Sequence, residues 1–148
     1  MELILWRHAD AENRLPDDAR KLTEKGRKQA KKMAAWLVAR LPAGYRVLSS
    51  PAQRARETAA ALGDAVVIEP ALSTSATPQS VLRAAGWPRG EGAVVIVGHQ
   101  PTLGAAAALA LTGTAAAWSL KKGAIWWIAT EADSDVVQVR AVMTPGLL

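Results

Sequence analysis

Short apolar runs that alternate with segments of helical periodicity are the feature that most constrains how this chain can fold. Leu3–Trp6 and Ala93–Val97 contain only apolar residues, which is typical of strands buried on both faces of a parallel sheet. From Thr23, apolar residues recur at helical spacing as far as Leu41, which indicates a helix with one buried face. Strands and helices that alternate in this way predict an α/β fold.

The remaining elements follow from the same signals. Strands are predicted at residues 3–6, 46–49, 66–68 and 93–97. Ser50-Pro51 and Thr77-Pro78 each offer a capping side chain followed by a first-turn proline, so a helix is predicted after each of them. A further helix is predicted from Pro101 to about Thr112.

The last third of the chain changes character, because its apolar runs follow one another without helices between them. Residues 118–120, 124–130 and 136–143 are predicted to be consecutive strands. We therefore predict an α/β three-layer sandwich with a mainly parallel central sheet, helices on both faces and antiparallel C-terminal strands. A single domain over residues 1–148 is expected, because single cores hold roughly 100–150 residues.

Composition excludes several classes of protein. With 50% hydrophobic residues the chain can bury a core, which excludes disorder over most of its length. The absence of cysteine excludes disulfides, thiolate nucleophiles and cysteine-ligated zinc. The net charge of +5 comes with no nucleic-acid-binding motif, and many of the lysines lie on the solvent face of one predicted helix. We therefore expect no nucleic-acid partner.

A membrane location is not predicted. The alanine-rich stretch 103–118 is interrupted by Gly104 and by Thr112-Gly113-Thr114, and a span needs about 20 apolar residues. Met1-Glu2 runs directly into the first apolar strand without the basic region of a secretory signal. The expected location is the cytoplasm.

Both histidines of the chain come directly after predicted strands. His8 follows the first strand and is preceded by Arg7, whereas His99 lies just beyond the strand at 93–97. Arg54 lies about one helical turn beyond the strand at 46–49. Ligands of open α/β sheets bind beyond the carboxyl ends of the strands, so we expect these four side chains to meet at one edge.

Two guanidinium groups and two imidazoles suit the chemistry of a phosphoryl group. Guanidinium groups present forked donors to several phosphoryl oxygens, and an anion would compensate the charge of Arg7 at the end of an apolar strand. A neutral imidazole can also attack phosphorus as a nucleophile. One histidine at a strand end is more often structural, so the inference depends on all four residues. Together they indicate phosphoryl transfer through a phosphohistidine.

The segments that carry these residues form a set that extends from the first strand to the last predicted helix. Its members are Leu5–Ala9, Leu22–Ala30, the Ser-x-Pro-x-x-Arg-Ala-x-x-Thr-like run Ser49–Ala59, and Val97–Pro101. In this order they resemble the motifs of the histidine phosphatase superfamily, also called the phosphoglycerate mutase-like family. Ala9 replaces the glycine of the family's usual Arg-His-Gly signature.

The resemblance implies a role for each matching residue. It implies that His8 is the nucleophile and that Arg7 and Arg54 bind the phosphoryl oxygens. His99 is implied to be a positively charged donor to the same oxygens. The fold implied is the phosphoglycerate mutase-like sandwich, in agreement with the fold predicted from the apolar runs.

Two further features resemble the short SixA-type phosphohistidine phosphatases of this superfamily. Arg7–Glu12 has the form Arg-His-Ala-Asp-Ala-Glu, which is similar to their signature. Between Leu72 and Ala93 only one short helix is predicted, where larger relatives insert segments that cover the site. An open crevice is therefore expected, which suits a phosphoryl group carried on a protein surface.

The identity of a general acid bears on the substrate. Larger relatives carry a glutamate soon after the third strand, but residues 71–75 contain no carboxylate. A hydroxyl leaving group needs an acid, because its pKa is near 15.7, whereas the conjugate acid of imidazole titrates at about 6.5. Asp10 and Glu12 are the candidate acids, although pairing with nearby Lys or Arg is an equally good interpretation.

Three alternatives stay open at the level of sequence. The chain could be a small-molecule phosphomonoesterase acting on a sugar or nucleotide phosphate, or a non-catalytic phosphate-binding module. A metal site formed by His8, Asp10, Glu12 and His99 is a third alternative, but it lacks the spacing of zinc motifs. We expect a metal-independent phosphatase without a cofactor, acting on a phosphorylated protein or small molecule and releasing phosphate.

Overall fold

The computed structural model describes residues 1–148 and contains one six-stranded sheet with four α-helices. The strands are β1 (Glu2–Arg7), β2 (Arg46–Ser49), β3 (Val66–Ile68), β4 (Ala93–Gly98), β5 (Ile125–Thr130) and β6 (Val137–Met143). The helices are α1 (Glu24–Val38), α2 (Gln53–Ala60), α3 (Pro78–Ala85) and α4 (Thr102–Thr112). No helix has the length and apolar character needed to cross a membrane.

The strand order β3-β2-β4-β1-β5-β6 brings the candidate residues to one edge of the sheet. The first four strands are parallel, and β5 and β6 are antiparallel to their neighbours. β1 pairs directly with β4, so that Arg7 lies opposite Gly98 and the residues after them are neighbours. β2 pairs with the other side of β4, with Ser49 opposite Val97.

Each face of the sheet is covered by helices, which confirms the predicted three-layer fold. Side chains alternate along β1, so Leu3 and Leu5 pack toward α3 and α4 while Ile4 and Trp6 pack toward α1 and α2. All four are fully buried. This explains why Leu3–Trp6 of β1 is an uninterrupted apolar run, since both faces of the strand lie in a core.

The predicted strand at residues 118–120 is wrong. These residues form no strand; the segment is held by the side-chain amide of Gln100, which donates to the Trp118 carbonyl at 2.9 Å. Gly104 of α4 approaches the same carbonyl so closely that a Cβ atom would collide with it. Side-chain and close backbone contacts therefore replace the strand pairing that the apolar residues suggested.

The predicted start of α2 is also wrong, and the difference affects the site. The helix begins at Gln53 rather than directly after Ser50, and its N-cap residue is Ala52. The Ser50 hydroxyl accepts a hydrogen bond from the Ala52 amide at 3.2 Å and contacts His99. Ser50 therefore links the start of α2 to His99, which lies beyond the end of β4, instead of capping the helix.

Candidate active site

His8 lies just beyond the end of β1, with 6% of its surface exposed. Its Nδ1 atom donates to the Ala9 carbonyl at 2.8 Å. Because a carbonyl oxygen only accepts, the proton of the neutral ring lies on Nδ1 and Nε2 keeps its lone pair. The local backbone thus holds His8 in the tautomer that a nucleophile at Nε2 requires.

His99 packs beside His8, with 5.3 Å between the ring centroids. Its Nε2 atom lies 2.7 Å from the Ser50 hydroxyl. That hydroxyl already accepts from the Ala52 amide, and His99 is the only acceptor within reach of its hydrogen. Donation from Ser50 to Nε2 leaves the proton of the neutral His99 ring on Nδ1.

The two arginines are anchored by contacts that leave part of each guanidinium free. Arg7 Nη1 donates to the Leu120 carbonyl at 2.7 Å. Arg54 is 5% exposed, and its Nη1 and Nη2 atoms donate to the Asp17 carbonyl and carboxylate at 2.8 and 3.1 Å. Burial lowers the pKa of Arg7 from its ordinary value. Both cations lie close enough to His8 to lower the pKa of its imidazole as well.

Three buried nitrogen atoms in this group have no hydrogen-bond partner in the protein. They are Arg7 Nε, Arg54 Nε and His99 Nδ1, and no other buried side-chain nitrogen or oxygen of the chain lacks a partner. Buried polar groups are normally satisfied, so three exceptions within one cluster require an explanation. In the tautomer assigned above, all three are donors, which is the complement that an oxyanion needs.

Burial controls the charge of the two imidazoles. It lowers the pKa of His8 to about 3, with His99, Arg54 and Arg7 adding to the effect. It also lowers the pKa of His99 to about 4, with the Arg54 cation acting in the same direction. Both rings are therefore neutral near pH 7 in the unliganded protein. The resemblance implies a positively charged His99 toward bound phosphoryl oxygens, whereas in the unliganded site an imidazolium would be buried beside the Arg54 cation.

These pKa shifts predict a loss of stability at mildly acidic pH. The unfolded chain protonates both histidines near pH 6.5, whereas the folded protein does so only near pH 3 and pH 4. Stability therefore falls as the pH falls from about 6.5 to about 4, by at most about 2 kcal/mol per histidine between pH 7 and pH 5. Urea unfolding at the two pH values measures this change. The double variant His8→Gln, His99→Gln serves as the control. Most of the difference in the free energy of unfolding between pH 7 and pH 5 should disappear in it.

The carboxylates proposed from the sequence as general acids are engaged elsewhere. Asp10 accepts from the Thr23 hydroxyl at 2.7 Å and from Lys122 at 2.9 Å, and these bonds lower its pKa. Glu12 pairs with Arg14 at 3.3 Å on the surface. Glu69, which follows β3, accepts from the backbone amide of Ala71 at 3.0 Å. The ionised state of Asp10 is a poor proton donor near neutral pH.

The structure assembles no set of metal ligands at the site. No set of three or more His, Cys, Asp or Glu side chains is arranged to hold a metal ion. His8 and His99 lie together, but Asp10 pairs with Lys122 and Glu12 pairs with Arg14. The metal set considered from the sequence is therefore not assembled.

The loop of residues 11–22 covers one side of the site. Its ends are joined by a bridge between Ala11 and Leu22, and its tip places Asp17 on Arg54. Only α3 lies between Leu72 and Ala93, as predicted, but the expectation of an open crevice is wrong at Arg54. Sequence reasoning missed Asp17, because nothing in a polar loop indicates contact with a side chain 37 residues away.

Thr58, the last residue of the Ser-x-Pro-x-x-Arg-Ala-x-x-Thr-like motif, is a second contributor, and sequence reasoning gave it no role. Its fully buried hydroxyl accepts from the Ala9 amide at 3.0 Å and donates to the Arg54 carbonyl at 2.8 Å. It therefore ties the His8 loop to α2. A threonine one helical turn beyond Arg54 was the available signal, because residues at i and i+4 share a helix face.

The segment Leu22–Ala30 supports the same loop. Thr23 caps α1 by accepting from the Gly26 amide at 3.0 Å and also donates to Asp10. A Cβ atom at position 26 would collide with the Asp10 carbonyl, so glycine permits this close approach. The start of α1 thus fixes the backbone that follows His8.

Comparison with known proteins agrees with this arrangement. The model of the histidine phosphatase superfamily (branch 1) matches residues 3–75, which contain Arg7, His8 and Arg54. The solved structure of the protein histidine phosphatase SixA complexed with tungstate is 26% identical, covers 99% of both chains and superposes with a TM-score of 0.84. Both comparisons match the chain to histidine phosphatases.

Other phosphatase structures share the fold. A protein from Nakamurella multipartitia described as a phosphohistidine phosphatase SixA is 25% identical, with coverage of 97% of this chain and 95% of its own and a TM-score of 0.78. A phosphoserine phosphatase from Entamoeba histolytica, in complex with 3-phosphoglyceric acid, is 17% identical over 99% of both chains, with a TM-score of 0.72, and shows the fold alone. No curated protein matches the chain significantly in sequence.

Proposed function

We propose that this histidine phosphatase removes a phosphoryl group from a protein phosphohistidine through a covalent intermediate on His8. The observation that carries the proposal is the set of three buried donors without a partner: Arg7 Nε, Arg54 Nε and His99 Nδ1. Their residues lie near His8, since the His99 ring packs on the His8 ring and both guanidinium cations lower the pKa of His8, whose Nε2 atom is unprotonated. Donors for the phosphoryl oxygens and a nucleophile for phosphorus are thus found in one place.

In the first step, the lone pair of His8 Nε2 attacks phosphorus and the bond between phosphorus and the substrate nitrogen breaks. The other ring nitrogen of the substrate phosphohistidine already carries a proton, so the electron pair of the broken bond returns to the ring and a neutral imidazole leaves. Arg7 and Arg54 neutralise the phosphoryl oxygens, and their fixed positions lower the barrier without rearrangement. The dianion also raises the pKa of His99, so its Nδ1–H bond becomes a stronger donor.

In the second step, water attacks the phosphorus of phospho-His8. The bond to Nε2 breaks, its electron pair returns to His8, and inorganic phosphate leaves. The hydrogen bond from Nδ1 to the Ala9 carbonyl persists through both steps and keeps the ring in one orientation. His8 is then ready for another cycle.

The state of the nearby carboxylates favours a phosphohistidine over a phosphate ester. Asp10 and Asp17 are both held by cationic partners, and hydrogen bonds lower the pKa of each. Neither is a good proton donor near pH 7. An alkoxide leaving group depends on such a donor, which typically contributes about 10²- to 10⁴-fold to the rate, whereas an imidazole leaves without it. Similarity to the SixA protein histidine phosphatase supports the same substrate class.

The proposal predicts a strong preference for the phosphorus–nitrogen bond. We expect kcat/KM for a phosphohistidine peptide to exceed that for phosphoserine peptides and sugar phosphates by about 10²-fold or more, because the esters lack an acid for their leaving group. Release of inorganic phosphate at pH 7.5 measures both, with uncatalysed phosphohistidine hydrolysis subtracted. Faster turnover of the esters would contradict the substrate class and favour the small-molecule phosphomonoesterase.

A further inference from the structure

Asp17 makes the only hydrogen bonds that the Arg54 guanidinium forms in the protein. The Asp17 carbonyl accepts from Nη1 at 2.8 Å, and its carboxylate Oδ2 accepts from Nη2 at 3.1 Å. The Arg54 side chain is 6% exposed and that of Asp17 is 53% exposed. The carboxylate therefore closes the site from the solvent side while the guanidinium stays inside.

The contact uses one particular edge of the guanidinium. A guanidinium has five N–H bonds in a plane, and Asp17 occupies the edge formed by Nη1 and Nη2. The neighbouring edge, formed by Nε–H and the second N–H of Nη2, stays free. Because Nε is buried and has no partner in the protein, this edge is left for a bound oxyanion. Two parallel N–H bonds on one edge are the arrangement that binds two oxygens of a phosphoryl group.

Asp17 is itself held in place by its loop. Its second carboxylate oxygen, Oδ1, accepts from Arg20 Nη1 at 3.2 Å. Arg20 in turn donates from Nε to the Glu12 carbonyl at 2.6 Å. The loop is closed by the bridge between Ala11 and Leu22. The chain of contacts thus runs from the base of the loop through Arg20 and Asp17 to Arg54.

We propose that Asp17 is a positioning residue, which grips the outer edge of Arg54 so that the edge containing Nε is presented to the phosphoryl group. This inference rests on the proposed function for its catalytic consequence, since Arg54 is there a phosphoryl ligand. The loop of residues 11–22, which follows His8, thereby takes part in anion binding. Without the carboxylate, the guanidinium keeps only the carbonyl contact and can rotate away from the phosphoryl oxygens.

The test compares Asp17→Asn with the matched variant Asp18→Asn, which makes the same change of charge one residue away. Asp18 forms no hydrogen bond to Arg54. We expect Asp17→Asn to weaken tungstate binding, measured by calorimetry, by about 10-fold, because the amide oxygen of asparagine still accepts from Nη2 but no longer carries the charge that strengthens the bond. We expect kcat/KM for a phosphohistidine peptide to fall to a similar extent. The charge of Asp18, like that of Asp17, raises the pKa of His99, so Asp18→Asn measures the effect of charge alone and should change both quantities far less than Asp17→Asn.

A double-mutant cycle shows whether Asp17 acts through Arg54. In an Arg54→Ala background, Asp17→Asn should have no further effect on tungstate affinity or kcat/KM, because the residue that it positions is gone. Asp17→Ala, which also keeps the backbone carbonyl, replaces Asp17→Asn if the latter fails to fold. A purely structural role would lower the unfolding temperature and leave the tungstate affinity of the folded protein unchanged.

Three outcomes would overturn the proposal: unchanged or tighter tungstate binding in Asp17→Asn, an equal loss in Asp18→Asn, or a loss that persists without Arg54. Tighter binding would mean that Asp17 competes with the anion for Arg54. The proposed function fails separately, if the unaltered protein binds tungstate but does not hydrolyse phosphohistidine. In that case the tungstate measurements still decide whether Asp17 positions Arg54.

Discussion

Replacing His8 by alanine should abolish turnover. The imidazole Nε2 atom is the only group of the site that we assign to attack phosphorus. Without it no phosphoenzyme forms, so water has no covalent intermediate to hydrolyse. We expect kcat to fall by on the order of 10⁵-fold, as is typical when the nucleophile of a covalent mechanism is removed. Phosphate release from a phosphohistidine peptide under saturating substrate measures the effect.

The His8→Ala variant should still fold and bind anions. His8 contributes one side-chain hydrogen bond, to the neighbouring Ala9 carbonyl, and its removal leaves Arg7, Arg54 and His99 in place. Tungstate affinity therefore serves as the control, and it should change far less than kcat. Substantial turnover by a purified, folded His8→Ala protein would rule out the covalent mechanism.

The second large effect is expected for Arg54→Ala. Loss of this guanidinium removes a buried positive charge from the phosphoryl oxygens in the transition state. The expected fall in kcat is about 10²- to 10³-fold, the range found when one oxyanion donor is deleted. Arg54→Lys should recover little of it, since an ammonium group cannot bind Asp17 on one edge and two phosphoryl oxygens on the next.

Arg56 provides a matched control for this substitution. It lies on the same helix two residues later, but its side chain is exposed. Arg56→Ala removes the same charge from the protein and should leave kcat close to that of the unaltered enzyme. If Arg54→Ala and Arg56→Ala had equal effects, the assignment of Arg54 to the phosphoryl group would be wrong.

The parts of the fold that sequence reasoning predicted correctly are those with local signals. The runs Leu3–Trp6 of β1 and Ala93–Val97 of β4 are apolar because both faces of these strands are buried. The predicted bounds of β2 and β3 agree with the structure. The caps at Thr23 and Thr77 mark the starts of α1 and α3. Local chemistry fixes these features, so they can be recognised without knowledge of the rest of the chain.

The features that sequence reasoning missed depend on contacts between distant residues. Residues 118–120 contain apolar side chains suited to a strand, but Gln100 and Gly104 hold them as an irregular segment. The protonation state of the unliganded His99 stayed open at the level of sequence, because it depends on burial and on the neighbouring Arg54 cation, which no sequence spacing reveals. The pairing of Asp17 with Arg54 likewise appears only once loop 11–22 is folded over α2.

Trapping the phosphoenzyme tests the central claim most directly. The enzyme is mixed with a phosphohistidine peptide labelled with ³²P, quenched within milliseconds, and digested for peptide mapping. We predict label on the peptide that contains His8, stable to alkali and released by acid, as expected of a phosphorus–nitrogen bond. Acid-resistant label on Ser50 would contradict the account, and so would release of phosphate in the first turnover with no label on His8 at any quench time.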